Sequence, residues 1–395
     1  MPSVSSRADS IAPSPIRKLY AAVARQRDVR FLELNIGQPD VPTPVELTAA
    51  LASYKPPVIA YGPALGTPAC REAAAGYYDR WSKGVTASNV VVTTGGSEAL
   101  LFAFAAVCDP GDQILVPEPF YANYLGFARM VGASIVGVRA RLEDGFALPS
   151  DEALQAALTP QTRALLFSNP GNPTGAVYPA SELARAAAFC RRNNLFLISD
   201  EVYRRIWFDE EPPSALSLAG CEDLVLVVDS LSKTWSACGA RVGFLISRNG
   251  DVLDRVGRMA QARLCPQPMA QEMAVAAFAL PDSFYEEMRL VWRGRRDAMA
   301  NALMAIPGVV APIPTGAFYA MVGLPVDDAD AFALYLVERF RYRGESVLVA
   351  PGSGFYRDPV DGQREIRLAA VLDVARIERA VSLIGRALAA YPGAL

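Results

Sequence analysis

Lysine is rare in this sequence of 395 residues: Lys and Arg together number 38, and only Lys18, Lys55, Lys83 and Lys233 are lysine. Lys233 stands just past an apolar run, Leu224 to Val228, with Asp229, Ser230, Leu231 and Ser232 between. A buried parallel strand reads as such a run, and open α/β sheets hold ligands just beyond the carboxyl ends of their strands. An amine placed there can lose its proton and attack a carbonyl, which a guanidinium cannot. Taken alone, the stretch leaves two readings open, an ordinary surface lysine and a nucleophile.

Other strand ends carry polar residues toward the same crevice. Gly95-Gly96-Ser97 opens an apolar helix, and free backbone N–H groups at a helix start can hold phosphate, although most Gly-Gly turns are only turns. Ser230 would add a hydroxyl and Arg241 a bidentate guanidinium, the plainer reading of Arg241 being a surface salt bridge. Asp200 closes the run Leu195 to Ser199; its carboxylate is either buried and in need of a partner or the cap of a helix beginning at Glu201. Asn172 and Tyr203 lie at neighbouring strand ends. A phosphate cradle, a buried carboxylate and an amine together describe a site for pyridoxal 5′-phosphate. The amine forms an imine, the carboxylate keeps the pyridine nitrogen protonated, and aromatic faces sandwich the ring. The sequence has no histidine, which removes Ser-His-Asp and Cys-His nucleophiles, imidazole metal sites and imidazole acid–base chemistry.

The elements that must position these residues follow from periodicity. From residue 88 onward, strand-like and helix-like stretches alternate: Asn89 to Thr94, Gln113 to Pro117, Ser134 to Arg139, Arg163 to Ser168, Leu195 to Ser199 and Leu224 to Val228 read as strands. Such alternation predicts a mainly parallel sheet with helices on both faces. After Pro281 the pattern changes to a long amphipathic helix, Ser283 to Ile306, then a strand after Gly316-Ala317-Phe318-Tyr319, a helix from Ala329 to Arg343, strands at Val347 to Ala350 and Glu365 to Ala370, and a last helix from Val374 to Ala390. A helix-like piece from Ile16 to Arg27 precedes Phe31 to Asn35. The expected division is an N-terminal arm and part of a small domain (1–44), a large cofactor-binding domain (45–285) and a small C-terminal domain (286–395).

Composition bounds the rest. With 52% hydrophobic and 20% charged residues the chain has ample core. A net charge of −3 offers no footprint for nucleic acid or an anionic membrane. Six scattered cysteines without C-x-x-C spacing suit a reducing cytoplasm and exclude a zinc motif. Met1 to Ser14 lacks the apolar core of a secretory signal, and no window reaches the roughly 18 apolar residues of a membrane span.

Over nearly its whole length the sequence resembles the class I/II aminotransferases of the fold-type I group, the aspartate aminotransferase family. The resemblance rests on Asn35-Ile36-Gly37-Gln38-Pro39-Asp40, Asn169-Pro170-Gly171-Asn172-Pro173-Thr174-Gly175, Ser199-Asp200-Glu201-Val202-Tyr203, Ser230-Leu231-Ser232-Lys233 with Gly239-Ala240-Arg241-Val242-Gly243, and Glu365-Ile366-Arg367-Leu368. It implies an α/β fold, a large domain with a seven-stranded sheet and a smaller α+β domain built from both chain ends. It further implies that Lys233 forms the imine and moves a proton, that Asp200 pairs with the pyridinium, and that Asn172 and Tyr203 hold the ring hydroxyl. Tyr121 looks like the stacking ring, and Gly96, Ser97, Ser230, Ser232 and Arg241 like the phosphate-binding group. Tyr61 is similar to the tyrosine that reaches the phosphate of a neighbouring subunit, which implies a homodimer. Arg367 matches the clamp on the substrate α-carboxylate, assisted by Gly37 and Asn172; without the resemblance, its alternating strand would read it as solvent-facing.

The sequence departs from the family pattern at Ala240, where many relatives have an aromatic residue, and lacks the serine often found after the matched Arg367. Ser97 stands where some aspartate-specific relatives carry a basic residue; Arg17 and Arg263 are candidates for binding a distal carboxylate in its place. The resulting expectation is an aminotransferase acting by a ping-pong mechanism between an L-amino acid, aspartate or glutamate among the candidates, and a 2-oxo acid. The alternative is a carbon–sulfur lyase or another fold-type I enzyme on the same scaffold, such as a cyclopropane-forming synthase or a decarboxylase; a lyase is separated by its release of ammonia and pyruvate from one substrate. A cofactor-sensing DNA-binding regulator is disfavoured by the short N-terminal arm and the negative charge.

Overall fold

The computed structural model describes residues 2–11 and 19–395. A short strand, β1 (Arg30–Glu33), precedes the main sheet of β2 (Val90–Thr93), β3 (Gln113–Glu118), β4 (Ser134–Arg139), β5 (Thr162–Ser168), β6 (Phe196–Asp200), β7 (Val225–Ser230) and β8 (Gly243–Ser247). Across the sheet the order is β2-β8-β7-β6-β5-β3-β4. The five strands from β7 to β4 are parallel, while β8 runs antiparallel to both its neighbours. The fold is thus the mixed α/β architecture expected, with a seven-stranded, mostly parallel sheet between helices.

The strands read as unbroken apolar runs because both faces are covered. On β7, Val225 and Val227 share a core with helices Pro68–Tyr78, Ala180–Arg192 and Pro268–Phe278; Leu226 and Val228 face the other way, into a core with Gly96–Val107 and Gly250–Arg263. Each such side chain contributes roughly 1.5–3 kcal/mol on full burial. Polar residues are thereby confined to the strand ends, and at the carboxyl edge of the sheet β6 closes with Asp200 and β7 with Asp229 and Ser230.

The smaller α+β unit joins both ends of the chain. β9 (Tyr319–Gly323), β10 (Glu345–Leu348), β11 (Ala350–Pro351) and β12 (Glu365–Ala369) follow the main sheet. β12 lies between β9 and β11, antiparallel to both, and β1 pairs in parallel with β10. Leu34 donates its N–H to Leu348 and accepts one from Ala369, so the segment leading to Gly37 is held by the C-terminal strands. Helix Asp282–Met304 buries Tyr285 in the core of the main sheet and Trp292, Met299 and Leu303 in the core of the smaller unit.

Several elements differ from the sequence reading. β8 and the helices Asp151–Ala156, Gly250–Arg263 and Pro268–Phe278 were not read from periodicity. The helix from Ala329 ends at Glu338 rather than Arg343, because the chain leaves helical geometry at Arg339 and turns into β10 through Arg343 and Gly344, both at positive φ. Of the piece expected at Ile16 to Arg27, residues 16–18 lie outside the described residues, and Tyr20–Val23 is helical. Among the described residues no helix is long and apolar enough to cross a membrane.

Candidate active site

At the carboxyl edge of the sheet the loops enclose a cavity of about 310 Å³, within the range of small-ligand sites. Lys233 lies on its wall, three residues past the end of β7. Its Nζ donates to the Gly37 carbonyl at 2.7 Å and lies 4.0 Å from Cys238 Sγ, which itself bonds the Ser232 carbonyl at 2.9 Å. The amine therefore faces the interior of the site, and the surface-lysine reading fails.

One end of the cavity is an anion cradle. Helix Gly96–Val107 begins there with Gly95 at its N-cap, φ +77°, and no side chain caps it. The amides of Gly96 and Ser97 are left at the positive end of the helix, facing the same cavity as Ser230, Ser232 and Arg241. Gly95 is required for space as well as for φ, since a methyl there would collide with the Arg241 guanidinium. Arg241 is itself left-handed (φ +55°) and donates to the Cys238 carbonyl at 3.1 Å, so its charge is held over the cradle and not in the surface salt bridge of the plainer reading.

Asp200 is 5% exposed at the end of β6. One carboxylate oxygen accepts the Tyr124 hydroxyl at 2.7 Å and the other the Val202 N–H at 3.3 Å. No helix begins at Glu201, so the capping reading reduces to that single turn bond. Among the described residues no cation touches the carboxylate; burial pushes its pKa from 3.8 up to about 6 against the pull of these two hydrogen bonds. It would be satisfied by a cationic N–H arriving with a ligand. Tyr121, on the cavity wall, packs edge-on against Tyr124 and accepts from Asn123 at 2.7 Å. Burial, with Tyr319 and Asp200 nearby, moves its hydroxyl up to about 12, so it stays neutral.

The other end is built around Arg367 on β12. Its side chain is 1% exposed, with Nη1 donating to Asn172 Oδ1 at 3.1 Å and Nη2 to the Asn35 carbonyl at 2.6 Å. Nε is buried with no hydrogen-bond partner among the described residues. The guanidinium lies between the rings of Tyr319 and Phe355, 4.5 and 4.9 Å from their centroids. A fixed, buried arginine bonded only to neutral carbonyls is a ready site for a carboxylate. Tyr203 also lines the cavity, its hydroxyl 3.0 Å from that of Tyr319.

Twelve of the residues singled out from the sequence thus meet in one cavity: Lys233, Asp200, Tyr203, Asn172, Tyr121, Gly96, Ser97, Ser230, Ser232, Arg241, Gly37 and Arg367. Tyr61 does not; it is 83% exposed in the loop before helix Pro68–Tyr78. Arg263 is also elsewhere, paired with Glu98 and donating to the Ala64 and Val92 carbonyls, which leaves it no charge to offer the cavity. Arg17 lies outside the described residues. Sequence reasoning missed Tyr319, Cys238, Asn123 and Gln38, all on the cavity wall. Tyr319 had the clearest signal, a tyrosine ending the Gly316-Ala317-Phe318 turn.

The geometry agrees with the comparisons to known proteins. The family model for aminotransferase class I and II matches residues 29–384. An aspartate/prephenate aminotransferase of Thermus thermophilus is 31% identical over 363 residues, covering 90% of this chain and 92% of the relative. The arginine–pyruvate transaminase AruH of Pseudomonas aeruginosa is 34% identical over 341 residues, 85% of this chain and 86% of its own. The solved alanine aminotransferase of Pyrococcus furiosus superposes with a TM-score of 0.90 at 29% identity, over 97% of this chain and 99% of the other.

Proposed function

The chain belongs to the class I and II aminotransferases and is an amino-acid/2-oxo-acid transaminase, and we propose that it works with pyridoxal 5′-phosphate held in the cavity described above. The observation that carries the reading is a convergence: one amine, one buried carboxylate that no cation touches among the described residues, one anion cradle and one second arginine share a single cavity. The donor set fits the group. Gly96, Ser97, Ser230, Ser232 and Arg241 would hold its phosphate, Asp200 its pyridine nitrogen, Asn172 and Tyr203 its ring hydroxyl, Tyr121 its ring face and Lys233 its aldehyde. When bound, that cofactor supplies an electron sink and a temporary carrier for the amino group.

The chain's own residues do the rest. Arg367 takes the α-carboxylate of the incoming amino acid in bidentate fashion, with Asn172 and the Gly37 segment beside it, and so fixes which bond at Cα faces Lys233. Lys233 has no imidazole to assist it and acts as the proton carrier at Cα. Its amine, bonded to the Gly37 carbonyl, is already directed to that side. The donor leaves as its 2-oxo acid before the acceptor enters, a ping-pong order in which both substrates use Arg367. Aspartate and glutamate are the first donors to test, because the Thermus relative carries aspartate in its name; alanine and arginine follow from the other two relatives.

A homodimer is part of this reading: a second copy would bring Tyr61 to the cradle of the first. Its support is the exposure of Val58, Ile59 and Tyr61, at 70%, 66% and 83%, on one loop. A cytoplasmic location accords with six cysteines that are all free. The division at residues 44/45 and 285/286 is likewise proposed, supported by distinct cores for the sheet and for the smaller unit, with Val202, Tyr203, Ile206 and Phe208 of the large domain packing into the latter.

The test is a pair of absorbance spectra, before and after single amino acids are added without a 2-oxo acid. Loss of the visible band, near 400 nm (roughly, as for this cofactor), to a shorter-wavelength form establishes half-transamination, and the responding amino acid names the donor class. A persistent band with accumulating pyruvate and ammonia assigns a carbon–sulfur lyase instead.

A further inference from the structure

Tyr319 belongs to none of the groups assigned above, yet it touches three of them. It begins β9, is 2% exposed and lines the cavity. Its hydroxyl lies 3.0 Å from the Tyr203 hydroxyl, and its ring centroid lies 4.5 Å from the Arg367 guanidinium. Its outer edge fills the volume that a side chain at Gly37 would occupy: a methyl there would collide with the Tyr319 hydroxyl and ring. Gly37 in turn carries the carbonyl that accepts from Lys233 at 2.7 Å.

From this placement we propose that Tyr319 is a positioning residue with two separable duties, its ring holding Arg367 for the substrate carboxylate and its hydroxyl holding Tyr203 toward the cofactor ring. The inference rests on the function proposed above. The two duties use different parts of the side chain. The ring face meets the guanidinium by cation–π attraction, which fixes Arg367 without consuming any of its N–H donors. The two hydroxyls lie 3.0 Å apart and either can donate, but a Tyr203 whose single proton goes to the cofactor's ring hydroxyl can only accept from Tyr319, and that accepted bond makes it a stronger donor through the chain of hydrogen bonds. A stronger donor at the ring hydroxyl favours its anionic form and lowers the pH at which the bound cofactor takes up a proton. The register explains why this residue can do both: Tyr319 stands opposite Ala369 on β12, two residues along from Arg367.

Two substitutions separate the duties. Tyr319→Phe removes only the hydroxyl. The pH midpoint of the bound cofactor's visible absorbance should then rise by about 0.5 unit, while affinity for an unreactive carboxylate such as propionate stays within about twofold of wild type. Tyr319→Leu removes the ring too, and propionate affinity should fall by about fivefold or more. Tyr319→Phe changes one buried atom and keeps the packing, so it answers even where Tyr319→Leu does not fold. An unmoved midpoint in Tyr319→Phe overturns the hydroxyl's role; undiminished propionate affinity in folded Tyr319→Leu overturns the ring's. A wild-type protein that shows no visible band with pyridoxal 5′-phosphate overturns this inference and the proposed function together, whereas a normal wild-type band with insensitive variants overturns this inference alone.

Discussion

Asp200 and Glu201 are neighbours in sequence, both buried and both acidic, and the structure gives them opposite surroundings. Glu201 meets a complete set of partners: Arg204, the hydroxyls of Ser199 and Ser214 at 3.1 and 2.9 Å, and the Ala215 N–H at 2.8 Å. Asp200 has one hydroxyl, one N–H and no touching cation among the described residues. The arginines repeat the contrast. Arg204 and Arg367 are each 1% exposed. Arg204 is neutralised by Glu201 and stacked 4.5 Å over Trp81, whereas Arg367 faces two neutral carbonyls and has an Nε with no partner among the described residues. A sealed network satisfies its own charges; an adjoining one left short of counter-charge among the described residues has the surroundings of a ligand site.

The contrast breaks first at Lys233. Lys233→Ala should lose more than the roughly 10²- to 10⁴-fold typical of a single acid–base group, because the covalent anchor is lost too. Thermal denaturation should be nearly unchanged, and turnover near wild type would refute the role. In the sealed network the loss should be one of folding: Glu201→Gln or Arg204→Met leaves an uncompensated buried charge, a cost of about 3–5 kcal/mol readable by urea denaturation. A stable Arg204→Met protein would mean that the network is not what holds this loop. Arg367→Ala should leave the cofactor's spectrum intact and weaken carboxylate substrates by about 2–4 kcal/mol in kcat/KM, since the pair it makes with the carboxylate is buried. Steady-state kinetics with one donor at fixed acceptor would test this.

The smallest effect concerns pH. Burial raises Asp200 from 3.8 to about 6. A carboxylate raised in the folded state costs nothing while protonated, and its cost grows as pH climbs from about 4 through 6. The cofactor-free protein should lose stability across that window, and Asp200→Asn should make the slope shallower, leaving the part owed to Asp229, which burial raises to about 7, and to Glu118 and Glu365, which burial also raises. Affinity for a cationic pyridine should move oppositely, strengthening as Asp200 ionises. Denaturation and cofactor titrations at pH 5 and 8 in both proteins measure the two slopes, and equal slopes in wild type and variant would remove Asp200 from the account.

Much of this arrangement could be read from residues alone, for identifiable reasons. Strands buried on both faces announce themselves as apolar runs, and polar residues at their ends, such as Asp200 and Ser230, stand out against them. Arg367 did not stand out. A charge on a short strand reads as solvent-facing, and only the cover of Tyr319 and Phe355 from elsewhere in the smaller unit buries it. Arg263 looked free in sequence because its partner Glu98 is far away along the chain. β8 was missed because its apolar residues follow the Gly239-Ala240-Arg241 turn with no break, and only pairing with β2 and β7 defines it as a strand. The short helix Asp151–Ala156 left too few residues for a period to emerge.

The pairing of β1 with β10 also sets an order of events at the ribosome. Every strand of the main sheet lies between Val90 and Ser247, so that sheet can close while the chain is still being made. The segment that carries Gly37 to Lys233 emerges earlier, yet its partner strand follows about three hundred residues later, roughly 15 to 60 seconds at ribosomal speed. Through that interval Arg30 to Glu33 is an unpaired β edge and the cleft has no outer wall. The cavity is thus completed only late in synthesis, once β12 has delivered Arg367 and with only the helix Val374–Leu388 still to follow, and a nascent chain stopped short of residue 345 would expose that edge to chaperones, or to another copy of itself.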